Sequence, residues 1–253
     1  MKFAVIGNPI DKSLSPKLHE ILYKELNISN CSFEKIHIEN DKLNDFFNND
    51  FDLFNGINVT IPFKNRVVKF LDNIDDEAKI LGNINCISKS NNMICGFNTD
   101  KHGFDMLLKK NEIIIEGSSC IILGAGSSAI TVVKCLIDQG VNKIIIKNRS
   151  INNAHNLSKF AQKLGFENIE LFSSESESCD IAINTTPIGM YNDDLDNFFD
   201  IPVNEHTTLI DLIYTSRETL FLKKLYQCSQ KINGLDMFIF QALKSICLLY
   251  TSD

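Results

Sequence analysis

The sequence predicts an α/β protein built as two units, and three observations carry that reading. From Phe3 to Phe97, short apolar strands alternate with amphipathic helical patterns, which calls for an α/β unit with a mostly parallel sheet. In the second half a buried strand runs straight into Gly124-Ala125-Gly126 and then into a helix, the arrangement of a dinucleotide-binding unit. With 253 residues the chain is long enough for both units.

Composition narrows the function classes. A hydrophobic fraction of 44% with 23% charged residues is that of an ordinary globular protein, and the net charge of −7 argues against nucleic acid as a partner. The eight cysteines show no Cys-x-x-Cys spacing and sit mostly in apolar segments, so they read as buried thiols in a reducing cytoplasm. No export signal opens the chain, and no apolar run reaches the roughly eighteen residues of a membrane span.

The elements follow in order. Phe3 to Gly7 is a strand, and Gly7-Asn8-Pro9-Ile10 turns the chain into Ser13-Leu14-Ser15-Pro16. Pro16 suits a first helical turn with Ser15 as its N-cap, and Leu18, Ile21, Leu22 and Leu26 supply an apolar stripe. Ser13 has no capping task and is free to meet a ligand. Cys31 to Ile38 reads as a strand, Lys42 to Phe47 as a helix, and Phe54 to Ile61 as an alternating strand with Ile57, Val59 and Ile61 on its buried face. Pro62 ends that ladder, and Lys64 follows in what reads as the first turn of a helix. A cation is disfavoured there by the helix dipole, and a lysine at a strand end beside Asn58 and Thr60 can face a small polar ligand and move a proton. Asp75 to Leu81 reads as a helix, followed by a hairpin of Ile87 to Lys89 and Met93 to Phe97 around Asn91-Asn92. A helix then carries Phe104, Leu107 and Leu108, with Thr99 or Asp100 able to cap it.

In the second half, Gly124 and Gly126 let the backbone turn tightly and approach a pyrophosphate, whose charge the following helix N-terminus receives. Lys143 to Lys147 is the next strand and ends in Asn148-Arg149-Ser150, with Ser150 capping the helix Ile151 to Leu164. Ile169 to Phe172, Ile181 to Asn184 and Thr208 to Ile213 are further strands; Thr219 to Tyr226 and Met237 to Leu249 are helices. Asp193 to Asp200 reads as an acidic loop without a function.

The chain resembles the shikimate dehydrogenase family from end to end. The resemblance rests on Ser13-Leu-Ser-Pro16, Asn58-Val-Thr-Ile-Pro-Phe-Lys64, Asn85, Asn98-Thr-Asp100, Gly124-Ala-Gly126, Asn148-Arg-Ser150, Asn184-Thr-Thr-Pro-Ile-Gly-Met190, Tyr214 and Gly234 through Gln241. It implies a substrate domain, 1–101 completed by 233–253, and a Rossmann NADP domain, 102–232, with a cleft between them. It further implies reversible NADPH-dependent reduction of 3-dehydroshikimate to shikimate, an oxidoreductase step in aromatic amino acid biosynthesis. Lys64 and Asp100 are the implied catalytic residues. Ser13, Ser15, Thr60, Asn85, Tyr214 and Gln241 are the implied substrate contacts. Gly124, Ala125, Gly126, Ser127, Ser128, Asn148, Arg149, Ser150, Thr185, Met190 and Gly234 are implied for the cofactor. No metal, nucleic acid or membrane partner is implied, and a monomer or homodimer is expected.

The residues of the second strand agree with NADP. No acid stands there to take a ribose 2′-hydroxyl, and Arg149 can pair with a 2′-phosphate. The family often carries a second basic residue shortly after that arginine, where this chain has Asn152 and Asn153. Lys12, Asn83, Cys86, Ser127, Ser128 and Ser216 also depart from the family's usual pattern, without removing an implied catalytic group. Two alternatives remain open at this point: a quinate/shikimate dehydrogenase with NAD use, and a ligand sensor without turnover.

Overall fold

The computed structural model describes residues 1–90, 93–173, 175–190, 196–228 and 230–250. The chain divides into two compact units, Met1–Gly103 with Ile239–Asp253, and Phe104–Phe238.

The first unit holds β1 (Lys2–Gly7), α1 (Ser15–Glu25), β2 (Ser32–His37), α2 (Leu43–Asn49), β3 (Gly56–Val59), β4 (Asn73–Ile74), α3 (Asp76–Leu81), β5 (Cys86–Ser90) and β6 (Met93–Phe97). Its sheet runs in the order β2-β1-β3-β5-β6-β4. β1 is parallel to β2 and β3, and β4 is parallel to β6, whereas β5 is antiparallel to both of its neighbours. The expected hairpin is therefore present; its Asn91-Asn92 turn lies outside the described residues.

Several local expectations are corrected. β3 is buried on both faces, with Ile57 and Val59 in one core and Asn58 against the buried Ser245, so Asn58 is only 7% exposed, while Ile61 is 42% exposed at a turn beyond the strand end. α1 buries His19 and Tyr23 and leaves Ile21 and Leu26 exposed. Leu18 and Leu22 are half-buried, and two aromatic rings join Leu22 in holding the helix to the sheet: His19 stacks on Phe33 at 3.7 Å, and Tyr23 shares a core cluster with Leu22. Ser15 does not cap this helix; the Ser13 hydroxyl accepts the Ser15 amide at 3.3 Å, so the capping-type bond belongs to the other serine. Asp75, in contrast, caps α3 by accepting the Glu77 amide.

The second unit follows α4 (Asp100–Lys110), within which the chain passes out of the first unit. It holds β7 (Ser119–Leu123), α5 (Ser127–Asp138), β8 (Lys143–Lys147), α6 (Ile151–Lys163), β9 (Ile169–Leu171), β10 (Ile181–Asn184), β11 (Thr208–Asp211), α7 (Leu220–Lys224) and β12 (Gln230–Asn233). The chain returns to the first unit within α8 (Leu235–Tyr250). The strand order is β12-β11-β10-β7-β8-β9, with every neighbouring pair parallel. Counted from β7 this is the doubly wound order 3-2-1-4-5-6, whose direction reverses between β7 and β10. Both sheet faces are covered: Cys120, Ile122, Ile144 and Ile146 pack into one core, and Ile121, Leu123 and Ile145 into another. Within the acidic stretch, residues 191–195 lie outside those described, but Phe199 is fully buried against Phe221, so part of that stretch anchors a core.

Candidate active site

The first sheet brings the chemistry-bearing residues of its unit to one end. β1 and β3 are parallel, so the segments that follow them, carrying Ser13 and Thr60–Lys64, leave the same end of the sheet. β5 runs the other way and starts at that end, directly after Asn85, and β6 finishes there, directly before Asn98-Thr99-Asp100. The pairing of Asn58 with Cys86, and of Cys86 with Phe97, sets this register.

Lys64 is not in a helix. It lies in a run of tight turns before a 3-10 segment at Val67–Phe70, a correction to the expected helical first turn. The cause is anchoring on both sides. Phe63 and Val67 are fully buried, the Phe63 amide bonds the Thr60 carbonyl at 3.0 Å, and the Lys64 carbonyl accepts the Ile84 amide at 2.7 Å. The backbone of Lys64 is thereby tied to the strand end and to the segment that precedes Asn85.

The Lys64 ammonium bonds and ion-pairs with the Asp100 carboxylate, and the two side chains are only 12% and 11% exposed. The other Asp100 oxygen accepts Asn85 Nδ2 at 2.8 Å. The same Nδ2 donates to Thr99 Oγ1 at 2.9 Å, and Asn85 Oδ1 accepts the Thr99 amide at 2.7 Å. Asp100 is thus held for the cluster and not for capping; it is Asn98 whose side chain accepts the Lys101 amide at 3.1 Å. Thr99 Oγ1 donates to Gln241 Oε1 at 3.4 Å, which brings Gln241 of α8 to the group.

The sequence pointed to Asn58 as a neighbour of Lys64 but not to its place in a buried layer behind this cluster, nor to Ser245. Asn58 Nδ2 donates to the Asn85 carbonyl at 3.0 Å and to Ser245 Oγ at 2.8 Å, and Ser245 is fully buried on α8. The signal was a polar residue inside a strand that the topology covers on both faces. Ser13, Ser15 and Thr60 are half-buried at the same sheet end. No hydrogen bond joins them to Lys64 among the described residues. A cation and a carboxylate fixed side by side, with little water access and with amide and hydroxyl groups around them, can hold a hydroxylated ring and pass a proton to an oxygen on it.

In the second unit, the Gly124-Ala125-Gly126 turn sits at the carboxyl end of β7, beside the end of β10. Gly124 has φ of +110°, and a Cβ there would lie 2.5 Å from Thr185 Oγ1, so both backbone and packing demand glycine. Gly126 is different. It has φ of −94°, and a Cβ there would meet nothing within 4 Å. Packing gives no reason for this glycine, which stands at the N-cap of α5, whereas a pyrophosphate approaching the turn would. Ser127 and Ser128 open α5 immediately after it. These residues fit a dinucleotide.

At the end of β8, Arg149 is exposed with no ion-pair partner among the described residues. Its neighbours already have local tasks: Asn148 Nδ2 donates to the Ser150 carbonyl at 2.8 Å, and Ser150 Oγ accepts the Asn153 amide at 3.4 Å as the cap of α6. Lys147 turns elsewhere, over the Phe172 ring with its ammonium on the Asp200 carbonyl. After β10, Thr185 Oγ1 donates to the Leu123 carbonyl at 2.8 Å, and the Met190 amide bonds the Pro187 carbonyl. Tyr214 stacks face to face on Phe238 at 4.0 Å. A Cβ at Gly234 would lie 2.1 Å from the Leu212 carbonyl oxygen, so packing within the unit accounts for that glycine.

Comparison with known proteins identifies the family. Residues 5–87 match the family model for the shikimate dehydrogenase substrate binding domain, and residues 107–210 match that for shikimate / quinate 5-dehydrogenase. A shikimate dehydrogenase (NADP+) from Clostridium beijerinckii is 38% identical over 96% of this chain and 89% of its own length. One from Nitrosopumilus maritimus is 36% identical over 96% of this chain and 90% of its own. The crystal structure of a Thermus thermophilus shikimate 5-dehydrogenase in complex with NADP(H) and shikimate has a TM-score of 0.84 at 25% identity, covering 99% of this chain and 94% of that one. By this similarity the chain belongs to the shikimate dehydrogenase family.

Proposed function

We infer that the chain catalyses the reversible, NADPH-dependent reduction of 3-dehydroshikimate to shikimate. The observation that carries the reading is the Lys64–Asp100 pair, shielded from water at the sheet end where Asn85 and Thr99 also converge. Relatives named as NADP-dependent shikimate dehydrogenases over almost the whole chain support the substrate and cofactor, and do not favour the NAD-using or sensor alternatives.

Bound NADPH supplies a hydride to the keto carbon. Lys64 stabilises the negative charge that develops on the keto oxygen and delivers the proton that completes the hydroxyl. Asp100 and Asn85 hold the ammonium in place, and Asp100 takes a substrate hydroxyl. Ser13 and Ser15 receive the carboxylate, while Thr60, Gln241 and Tyr214 bond the rest of the ring. Gly124 to Ser128 cradle the pyrophosphate, Thr185, Met190 and Gly234 lie along the cofactor, and Arg149 pairs with its 2′-phosphate. The eight cysteines carried as free thiols are in keeping with a cytoplasmic setting.

The test is NADPH oxidation with 3-dehydroshikimate. Turnover that needs both reactants is expected; binding of shikimate without turnover would instead assign a sensor, and kcat/KM for quinate equal to that for shikimate would assign the broader dehydrogenase.

A further inference from the structure

Asp211 ends β11 with no exposed surface, and none of the chemistry above uses it. Its carboxylate accepts from Asn184 Nδ2 at 2.9 Å, from the Ile213 amide at 3.1 Å and from the Thr219 hydroxyl. The three donors belong to three different segments. Asn184 ends β10, Ile213 starts the stretch that carries Tyr214, and Thr219 caps α7 by accepting the Leu222 amide.

Asn184 passes the constraint onward. Its Oδ1 accepts both the amide (3.0 Å) and the hydroxyl (2.7 Å) of Thr186, and Thr186 Oγ1 accepts the Ile188 amide at 3.3 Å. The two ends of an asparagine amide are alike in shape, so shape alone does not orient it. An ionised carboxylate only accepts, which obliges Asn184 to turn its NH2 toward Asp211 and its oxygen toward Thr186. The loop shaped in this way begins with Thr185, which packs against Gly124 at the point where the strand order reverses. The Ile213 bond likewise sets the direction in which the chain leaves β11 before Tyr214 reaches Phe238. Burial pushes the Asp211 carboxyl up to about 6 against the pull of its three hydrogen bonds.

We propose that Asp211 is a positioning residue for the cofactor: through Asn184 and Ile213 it sets the loops after β10 and β11 in the form that receives the second nucleotide of NADPH. This rests on the reading of the second unit as the NADP site. The carboxylate does not touch the cofactor. Its effect is carried by Thr186 and by the backbone before Tyr214.

The experiment is NADPH binding by fluorescence titration, with thermal melting as the check on folding, for Asp211→Asn, Thr219→Val and Thr219→Ser. Asp211→Asn places an NH2 where three donors converge. It is expected to raise the Kd for NADPH about tenfold or more, the scale of a lost buried hydrogen bond to a charged group. The KM for 3-dehydroshikimate should change less than the Kd for NADPH, because among the proposed substrate contacts only Tyr214 follows these loops while the others belong to the first unit. Thr219→Val is expected to weaken NADPH in the same direction and Thr219→Ser, which keeps the hydroxyl, to restore it. If Asp211→Asn does not fold, the Thr219 pair decides. Folded variants with lowered melting temperatures and wild-type Kd for NADPH would overturn the proposal while leaving the cofactor reading intact. Failure of the wild-type protein to bind NADPH would overturn both.

Discussion

A lysine and an aspartate with so little exposed surface are held together because each leaves the other an unpaired, poorly hydrated charge if it is removed. Lys64→Met removes the proposed proton donor while leaving Asp100 bonded to Asn85. It should lower kcat by roughly a hundredfold or more, with KM little changed. Asp100→Asn should also slow turnover strongly, since it releases the ammonium. Near-normal kcat in Lys64→Met, or a loss confined to thermal stability in Asp100→Asn, would reduce the pair to a structural ion pair. Arg149 is the residue we propose for cofactor choice. Its neighbours Asn148 and Ser150 are engaged locally, so on that reading one cation carries the recognition of the 2′-phosphate. Arg149→Ala should therefore lower kcat/KM with NADPH and leave that with NADH nearly unchanged; steady-state kinetics with both cofactors would reveal equal losses if the arginine were only a surface group. Lys64 and Arg149 stood out in the sequence because each follows a strand end with a side chain that capping does not require, whereas Asp100 read equally as a helix cap and drew its role from the family resemblance. The buried layer of Asn58 and Ser245 did not stand out, because nothing local distinguishes a polar residue on a covered strand face from one on an open face.

At the scale of elements, the turn between β7 and α5 holds two glycines with different physical reasons. Gly124→Ala forces a side chain into positive φ and against Thr185, so it should destabilise the protein by about 1–3 kcal/mol. Gly126→Ala meets no neighbour and should leave the melting temperature almost unchanged while weakening NADPH. Melting and NADPH titration on both variants separate the two roles; a Gly126→Ala protein that binds NADPH normally would show that no pyrophosphate approaches there. Strand positions in this unit were readable because parallel strands covered on both sides are continuous apolar runs. β12 was not read, because Gln230–Asn233 is polar and has only Ile232 buried. The first-unit misreadings have a common cause. The face of α1 and the turn at Lys64 are decided by distant partners, Phe33 and the segment before Asn85, which a local pattern does not display.

For the whole molecule, alternation of strands and helices revealed two α/β units but not the reversal of β5, which brings Asn85 and Asp100 to the end of the sheet where Lys64 stands. Each unit also carries a buried group that titrates between about pH 3 and 7, and these two act in opposite directions. His19, in the first unit, is lowered by burial from 6.5 to about 3. The unfolded chain therefore binds the extra proton between those values, and His19 lowers stability as pH falls below about 6.5. Asp211, in the second unit, is raised by burial from 3.8 to about 6. Here the folded protein binds the extra proton, so its contribution to stability increases as pH falls through 6 and levels off below 3.8. Between pH 7 and 5 the His19 effect amounts to about 2 kcal/mol and the Asp211 effect to about 1 kcal/mol, at 1.36 kcal/mol per pH unit over the part of each window crossed. The partial cancellation hides both in the wild-type protein. His19→Phe keeps an aromatic ring on Phe33 and removes the titration, so its stability relative to wild type should improve on going from pH 7 to 5. Asp211→Asn should worsen over the same interval, because it no longer gains a proton on folding. Denaturant melts of the three proteins at both pH values measure the differences, and free of common changes at surface carboxylates, since those cancel between variants. If the units unfold in separate transitions, the His19→Phe effect belongs to the transition of the first unit and the Asp211→Asn effect to that of the second. Differences that do not change with pH would show that neither group titrates between its folded and unfolded values as its burial requires.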